Sequence, residues 1–343
     1  MQSKTKAGSD LLIAKVAEKF GLTVSKYLPV QKGYRNESHP VRLAEGTIVN
    51  IMLFKGGSGA ERIIYNANSV SGFLADNGLP ARKSIDERIL KLSSGRIQNY
   101  AALYNFLPGD TIAWEAYSQK HIKLLGKTLG DMHHVLQYFD ATELPAVADV
   151  YIEIVQRMAK YFRQYGVTHA VTLKLGLQID LDTLRKFEIV LQQTKNLQNQ
   201  QALHLDFVRS NILFMDSSDG PIISGILDFE KTARGNPLFD IARTLAFLLV
   251  DCKFKSADQV KKYFLNSGYQ KRSKSRLPQI QINNGTFRAP LIETLIDIFL
   301  LYDFYKFLRH NPYEYLNKNE HFVRTRDILL QRDVIFLANI ADK

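Results

Sequence analysis

The pattern of apolar residues changes at the turn Leu107-Pro108-Gly109-Asp110, and this change limits the possible folds more than any other feature. Before the turn, segments 9–20 and 60–77 carry apolar side chains every three or four residues and predict amphipathic helices. Runs rich in β-branched and aromatic residues predict strands at 27–30, 41–43, 47–54, 88–92 and 100–106. Residues 1–108 therefore predict an α+β lobe built on a small antiparallel sheet.

Helices dominate after this turn, because apolar residues recur there at helical spacing. The predicted helices lie at 117–139, 149–165, 181–201, 237–250, 257–265, 290–310 and 324–340. Two strands interrupt them within 202–230. We therefore expect a second, mainly helical lobe over 109–343. Within this lobe, the segments 202–216 and 222–240 contain the two strands that interrupt the helices. The whole chain is therefore predicted to be of the α+β class.

The composition is that of a globular protein with room for two lobes, since 45% of the 343 residues are hydrophobic and 23% are charged. The one cysteine, Cys252, excludes an intrachain disulfide and suits a reducing compartment, so we expect a cytoplasmic protein, monomeric or homodimeric. No apolar run is long enough to span a bilayer, and charged residues interrupt the N-terminal one, so neither a membrane span nor a signal peptide is predicted.

The net charge of +11 favours anionic partners in general. Much of the basic excess lies between residues 253 and 276, which we interpret as a solvated face and a basic loop. Nucleic-acid binding is the alternative. We consider it unlikely, because few aromatic residues alternate with the basic ones there.

The stretch 202–230 carries the residues that indicate chemistry. Asp206 and Asn211 lie five apart, His204 precedes Asp206 by two, and an apolar strand then ends on Asp228. An Asp that accepts a hydroxyl proton, followed by an Asn and an Asp that hold Mg²⁺, is the arrangement of kinase-type phosphoryl transfer. Mg²⁺ takes few protein oxygens and completes its octahedron with phosphate and water, and Asn211 and Asp228 supply two such oxygens.

These segments resemble the aminoglycoside phosphotransferase and choline kinase family, which is related to the protein kinases. HLDFVRSNILF resembles its catalytic loop, ILDFEKTARGNPLFDIARTL its metal-binding segment, and LLGKTLGDMHH its first helix of the large lobe. The resemblance covers most of the chain and implies a bilobal protein-kinase-like fold. It implies that Asp206 is the catalytic base, that Asn211 and Asp228 bind Mg²⁺, and that Asp240 is a structural acid.

Two other residues of the loop are assigned roles beside Asp206. Val208 stands where many relatives have a basic residue near the γ-phosphate, and we predict that the adjacent Arg209 substitutes for it. His204 is predicted to serve catalysis as a hydrogen-bonded brace of the loop rather than as a proton carrier. The pair His133-His134 is interpreted in the same way, with one imidazole packed against the catalytic loop, because adjacent residues point to different faces of a helix.

The small lobe is expected to bind ATP. YNFLPG resembles the family's adenine-binding hinge and implies Tyr104, Asn105 and Phe106, and residues 32–38 resemble its nucleotide loop, with Gly33 and Asn36 matching best. Lys55 is the candidate for the family's phosphate-binding lysine, although another register places Met52 there. The helix after it has no acid where the family's partner glutamate stands, and Glu61 is its only early acid.

The sequence thus predicts an ATP-dependent, Mg²⁺-requiring phosphotransferase that acts on a hydroxyl group of a small molecule. A pseudokinase or nucleotide-sensing module remains the alternative, because the partner of Lys55 is missing. Acids and tyrosines of the helix 290–310 are candidates for an acceptor pocket, and solvated acids are the other interpretation. They are Glu293, Asp297, Tyr302, Asp303 and Tyr305.

Overall fold

The computed structural model describes residues 2–32, 36–94, 97–270 and 290–338. By its internal contacts the chain divides into two compact units. The first contains Met1–Asp110 together with Ile212–Met215 and Ile223–Lys231, and the second contains Thr111–Asn211, Asp216–Ile222 and Thr232–Lys343. The expected division at residue 108 falls close to the end of the first long segment. The two short later segments that join the first unit come from the middle of the predicted helical lobe.

A six-stranded antiparallel sheet and two helices form the first unit. The sheet order is β1-β3-β4-β6-β5, and β2 pairs with β3. The elements are α1 (Gln2–Lys19), β1 (Val24–Tyr27), β2 (Gln31–Lys32), β3 (Glu37–Leu43), β4 (Ile48–Lys55), α2 (Ala60–Asp76), β5 (Leu90–Ser94) and β6 (Ile97–Asn105). In the central pair, Ile51 lies opposite Leu103 and Lys55 opposite Asn99.

The two faces of this sheet carry separate cores because successive side chains of a strand point to opposite sides. Val49 and Ile51 pack with Ile13 and Val16 of α1. Phe54 and the partly buried Met52 belong to the other core, with Ile64 of α2 and with Tyr100 and Tyr104 of β6. Each buried aliphatic side chain contributes about 1.5–3 kcal/mol.

The second unit is mainly helical. Its helices are α3 (Gln119–Leu136), α4 (Val147–Phe162), α5 (Tyr165–Leu175), α6 (Leu181–Thr194), α7 (Leu238–Asp251), α8 (Ala257–Lys261), a π-helix (Lys262–Tyr269), α9 (Pro290–His310), α10 (Tyr313–Leu316) and α11 (Glu320–Gln331). Its short strands are β7 (Leu177–Ile179), β8 (Gln201–Leu203), β11 (Ala233–Gly235) and β12 (Ile335–Leu337), which pair as β8 with β11 and β7 with β12. Between them the chain forms the hairpin β9 (Ile212–Ser217) and β10 (Gly220–Ile226).

Several predicted elements differ from the structure at their ends. Helix α1 begins at Gln2, so Ser9 and Asp10 lie inside it and not at its N-cap. The predicted helix 181–201 ends at Thr194, and its last residue starts β8. The predicted helix 324–340 ends at Gln331, because Asp333 takes a left-handed φ of 53° and the β-branched Val334 and Ile335 lead into β12.

Helix α5 was not predicted, because its residues 165–175 show no apolar stripe and only Val171 among them is buried. Among the residues that the structure describes, none of the helices combines the length and apolar character needed to cross a membrane.

Candidate active site

The loop between β8 and β9 is held to helix α7 by one carboxylate. Asp240, in the first turn of α7, accepts hydrogen bonds from the backbone N–H groups of His204 (2.8 Å) and Leu205. These bonds fix Leu205, whose φ of 59° is left-handed and costs a non-glycine residue about 1 kcal/mol or more. One turn further along α7, Thr244 Oγ1 donates to the carbonyl of Phe207 at 3.2 Å. The loop conformation is thus set by the helix that follows the metal-binding segment.

Asp240 is also held by a residue of helix α3. His133 Nε2 lies 3.1 Å from Asp240 Oδ2, and His133 Nδ1 lies 2.8 Å from the hydroxyl of Tyr269. Burial alone would raise the pKa of Asp240, but the hydrogen bond and charge of His133 and the neighbouring His204 outweigh it, so the pKa is lowered. His133, one of the 133-134 pair, thus supports the loop through Asp240.

Asp206 and Asn211 lie together at the two ends of the loop. Asn211 Nδ2 donates to the backbone carbonyl of Asp206 at 2.9 Å and to its Oδ2 at 3.1 Å. Both side chains are buried, with 6% and 7% of their surfaces exposed. Because the amide nitrogen of Asn211 faces Asp206, its Oδ1 is the atom that can coordinate a cation. The carboxylate of Asp206 is therefore held by the amide nitrogen of Asn211, whose oxygen accepts a hydrogen bond from the hydroxyl of Ser210 at 3.3 Å.

His204 and Arg209 contact the same loop in different ways. The N–H of Asp206 donates to His204 Nδ1 at 3.1 Å, so the proton of a neutral ring is carried on Nε2. Arg209 Nη1 donates to the carbonyl of Ile112 at 3.2 Å, and its Nε lies 3.5 Å from Asp251 Oδ2. His204 thus makes the contact expected of a residue that braces the loop. The side chain of Arg209 is held by the carbonyl of Ile112 and the carboxylate of Asp251.

Asp228 belongs to the first unit, directly after strand β10. Its φ is 58°, a left-handed conformation that only the surrounding contacts can stabilise in a non-glycine residue. Two residues on, Glu230 Oε1 accepts a hydrogen bond from Arg82 Nη2 at 2.9 Å, and Phe229 between them is fully buried. Burial alone would lower the pKa of Arg82, but the charges of Glu230, Tyr104 and Asp228 outweigh it and raise it.

The residues predicted to bind the nucleotide are spread along the first unit. Lys55 is the exposed last residue of β4. Tyr104 is fully buried, and its hydroxyl donates to Asn68 Oδ1 of α2 at 2.7 Å. Asn105 bonds to Lys83 through both its backbone N–H and its side-chain oxygen.

Phe106 follows the end of β6 and is half-buried. Asn36 is half-buried directly before β3, whereas Gly33 lies outside the described residues.

Asn211 and Asp228 each offer a hard oxygen atom, of the kind that Mg²⁺ takes together with phosphate oxygens and water. In chemical type, each residue therefore suits its predicted role as a magnesium ligand. No group of three or more His, Cys, Asp or Glu residues able to hold a metal occurs in the described part of the chain.

The acids proposed for an acceptor pocket on α9 are engaged in ion pairs. Glu293 binds Lys261 and Arg332, Asp297 binds Arg332, and Asp303 binds the buried Arg243 at 2.9 Å. The basic segment is partly neutralised in a similar way. Lys253 pairs with Glu115 and Glu320, and Lys255 donates to the carbonyl of Tyr117. Residues 271–276 of that segment lie outside the described residues.

Two functional candidates are absent from the sequence-based interpretation. Arg82 lies in the loop before β5 and has no motif around it, so only the three-dimensional contact with Glu230 identifies it. Asp251 is the last residue of α7, one position beyond the predicted helix 237–250, and only 2% of it is exposed. Burial raises its pKa to about 6 despite the nearby Arg209.

Comparison with known proteins gives the family. The profile of the phosphotransferase enzyme family matches residues 52–264, which is more than half of the chain and includes the end of β4, the loop of Asp206 and Asn211, the segment of Asp228, and α7. No curated protein sequence matches the chain.

Solved structures share the fold at low sequence identity. An amicoumacin kinase in complex with AMP-PNP and Ca²⁺ is 13% identical, with a TM-score of 0.69, and the match covers 99% of this chain and 98% of that one. A microcompartment-associated aminopropanol kinase is 12% identical, with a TM-score of 0.59 and coverage of 96% and 100%. The GDP complex of aminoglycoside 2′-phosphotransferase-IIIa is 13% identical, with a TM-score of 0.54 and coverage of 92% and 98%.

The structural likeness confirms the two-lobed, protein-kinase-like α+β fold, with an antiparallel sheet in the first lobe and helices in the second. The profile match extends over the segments that carried the resemblance in the sequence. The chain therefore belongs to the phosphotransferase enzyme family.

Proposed function

We propose that the protein transfers the γ-phosphate of ATP to a hydroxyl group of a small molecule. The observation that carries this proposal is the buried pair of Asp206 and Asn211, held 3.1 Å apart on a loop that Asp240 anchors. A carboxylate fixed in this way is suited to accept a hydroxyl proton, because its position does not have to be selected from many rotamers when the substrate binds.

Each residue has a role in this proposal. Asp206 accepts the proton of the attacking hydroxyl, while His204 braces the loop through the N–H of Asp206. Asn211 and Asp228 hold Mg²⁺, which neutralises charge on the phosphates when bound. Arg209 lies beside the transferred phosphate. ATP is bound by Lys55, by Gly33 and Asn36 of the nucleotide loop, and by the backbone of Tyr104, Asn105 and Phe106.

The acceptor is proposed to be a small molecule with a free hydroxyl group. Support comes from the family and from structural neighbours named for amicoumacin, aminopropanol and aminoglycosides. The paired acids of α9 do not identify the acceptor, because their charges are already balanced within the protein. A cytoplasmic location and a monomeric or homodimeric state complete the proposal.

A panel of hydroxyl-bearing metabolites and antibiotics, assayed by coupled detection of ADP, tests this function. Asp206→Asn should lower turnover of any acceptor found by about 10²–10⁴-fold, since it removes the general base, and should leave ATP affinity nearly unchanged. Asp140→Asn is the matched control, because Asp140 is an exposed acid of the same unit that binds only Thr142. Equal turnover by wild type and Asp206→Asn would remove Asp206 from its role.

A second candidate, a nucleotide sensor without turnover, is favoured by the exposed position of Lys55 and by Asn68, which stands in α2 near the place of the missing acid and binds Tyr104. Thermal unfolding with ATP, with and without Mg²⁺, separates the two candidates from a protein that binds no nucleotide. An enzyme of the proposed type gives a Mg²⁺-dependent shift and turnover. A sensor gives a shift without ADP formation over the whole panel.

A further inference from the structure

Arg82 is a buried cation in the first unit, placed where the sequence indicated none. Only 4% of its surface is exposed, and its Nη2 lies 2.9 Å from Glu230 Oε1. The guanidinium carbon lies 4.3 Å from the centre of the Tyr104 ring and 6.0 Å from that of Phe54. An arginine in such a site is held by a charged partner and by the faces of aromatic rings.

The backbone around Arg82 joins two strands of the first unit. The N–H of Arg82 donates to the carbonyl of Ile226 at 3.0 Å, and the N–H of Ile226 donates to the carbonyl of Pro80 at 2.8 Å. On the other side, Lys83 and Asn105 exchange hydrogen bonds at the end of β6. Arg82 therefore binds the segment 226–230 at two points. Its backbone N–H donates to Ile226, and its side chain donates to Glu230.

Asp228 lies between these two attachment points. Its left-handed φ of 58° is unfavourable for an aspartate and persists only if its neighbours fix it. Ile226 before it and Glu230 after it are both held by Arg82. The carboxylate position of Asp228 thus depends on a residue that lies far away in the sequence, since Arg82 and Glu230 are separated by 148 positions.

Arg82 lies on the face of the sheet that carries Phe54 and Tyr104, and the residues of β4 on that face contribute no cation. Met52 and Phe54 are the residues of β4 that pack there, and Asn68 of α2 is bonded to the Tyr104 hydroxyl. These residues form no pair between a lysine of β4 and an acid of α2, in agreement with the missing acid noted in the sequence. An arginine–glutamate pair between the loop before β5 and the metal-binding segment lies on that face instead.

We propose that the Arg82 side chain is a positioning group for the metal-binding acid Asp228, acting through its ion pair with Glu230. This proposal rests on the function proposed above. It makes the affinity for the nucleotide-bound metal depend on Arg82, whereas the affinity for ATP without metal does not.

The test uses Mn²⁺ as a probe, because Mn²⁺ bound to a protein enhances water-proton relaxation more strongly than Mn²⁺ held by ATP in solution. The protein, in excess over ATP, is titrated with Mn²⁺, and metal-free ATP binding and thermal unfolding are measured beside it. The variants are Arg82→Lys and the double variant Arg82→Met with Glu230→Gln, which removes both buried charges and keeps similar shapes. Arg88→Ala is the control, because Arg88 forms an exposed pair with Asp86 in the same unit.

We expect the double variant to need at least tenfold more Mn²⁺ for half-saturation, with metal-free ATP affinity unchanged. Arg82→Lys should lie between it and wild type, because lysine keeps the charge but not the two-nitrogen fork. Arg88→Ala should match wild type. If the double variant does not fold, Arg82→Lys decides alone.

A folded variant with the wild-type Mn²⁺ requirement would limit Arg82 to a structural role and overturn the proposal. A wild-type protein without Mn²⁺-dependent ATP binding would instead overturn the proposed function, and this inference with it. The two failures are distinguished by the wild-type titration.

Discussion

Asp240 joins three elements at the level of a single residue, since its two oxygens accept the N–H groups of His204 and Leu205 and contact His133 of α3. A carboxylate can accept all of these bonds, whereas an amide presents an NH₂ group to at least one donor. Asp240→Asn should therefore lower the free energy of unfolding by roughly 2–4 kcal/mol, as expected for a broken buried charge network. Urea unfolding measures this change, and a loss below about 0.5 kcal/mol would contradict it.

Asp251 provides a prediction about pH. Its pKa is raised to about 6 by burial, which Arg209 and Arg324 only partly oppose; Asp303 adds to the rise, and His321 lies 3.8 Å away. Between about pH 4 and pH 6 the native protein therefore keeps a proton that the unfolded chain has lost. Because the native state binds more protons in this range, this group lowers the free energy of unfolding as the pH rises.

The whole effect amounts to about 3 kcal/mol, from a shift of about two pKa units. Asp251→Asn removes it. The stability of wild type relative to this variant should thus fall between about pH 4 and pH 6 and stay constant above pH 7. Urea unfolding of both proteins at three pH values measures the difference, and a difference independent of pH would contradict the assignment.

At this scale the sequence singled out candidates by two routes. Asp206, Asn211 and Asp228 were predicted from a spacing tied to phosphate and metal chemistry, and Asp240 was predicted as a structural acid through the family resemblance; the structure shows that Asp240 holds the loop of Asp206. Arg82 and Asp251 were missed because their significance arises from burial. Partners distant in sequence create that burial, and no local pattern records it.

Among the elements, helix α3 and the π-helix lie unusually close together. A Cβ atom built on Gly126 would lie 2.1 Å from the carbonyl oxygen of Phe264, and one on Gly268 would lie 2.7 Å from that of Lys123. Neither backbone group can rotate away as a flexible side chain would. The contact therefore requires glycine on both helices.

Gly126→Ala should destabilise the protein by roughly 1–3 kcal/mol or more, because it overpacks this contact. Gly72→Ala is the matched control within helix α2, where nothing lies within 4 Å of the added Cβ. It should stabilise the protein by about 0.5–1 kcal/mol through its helix propensity. Thermal or urea unfolding of both variants measures the pair, and equal changes of the same sign would refute the close packing.

The elements themselves were predictable where the apolar period was clear. The pairing of the predicted strands 88–92 and 100–106 corresponds to β5 and β6, and α2 and α7 begin within one residue of the predicted positions. Ends were less predictable, as in α1 and the chain beyond Gln331. There a left-handed Asp333 and a tertiary partner, β7, decide the conformation against the helical pattern.

For the molecule as a whole, the single cysteine offers a probe of opening. Cys252 is 3% exposed, and burial raises the pKa of its thiol to about 12, so at pH 8 only about 10⁻⁴ of it is thiolate. A thiol reagent such as DTNB should label no cysteine of the native protein within minutes at pH 8. In concentrated guanidinium it should label one equivalent. Rapid labelling of the native protein would show that the surroundings of Cys252 open readily.

The division into two lobes was predicted near residue 108, and the first long segment ends at Asp110. The sequence did not indicate that Ile212–Met215 and Ile223–Lys231 join the first unit. The first of these segments follows the loop of Asp206 directly and the second lies beyond the hairpin turn, and their apolar pattern is that of an ordinary hairpin. Only their contacts with the first unit, such as the hydrogen bonds between Ile226 and residues 80 and 82, assign them to it.

Because residues 223–231 belong to the same unit as residues 1–110, the gene is constrained in how it can recombine. A recombination event that exchanged the coding region for residues 1–110 would bring in a new sheet but keep the old Ile223–Lys231, and with it the old Glu230. The incoming lobe would be viable only if it supplied an arginine in the place of Arg82. Inheritance of the two distant segments is thereby linked, and substitutions at positions 82 and 230 should be found together among descendants of this gene.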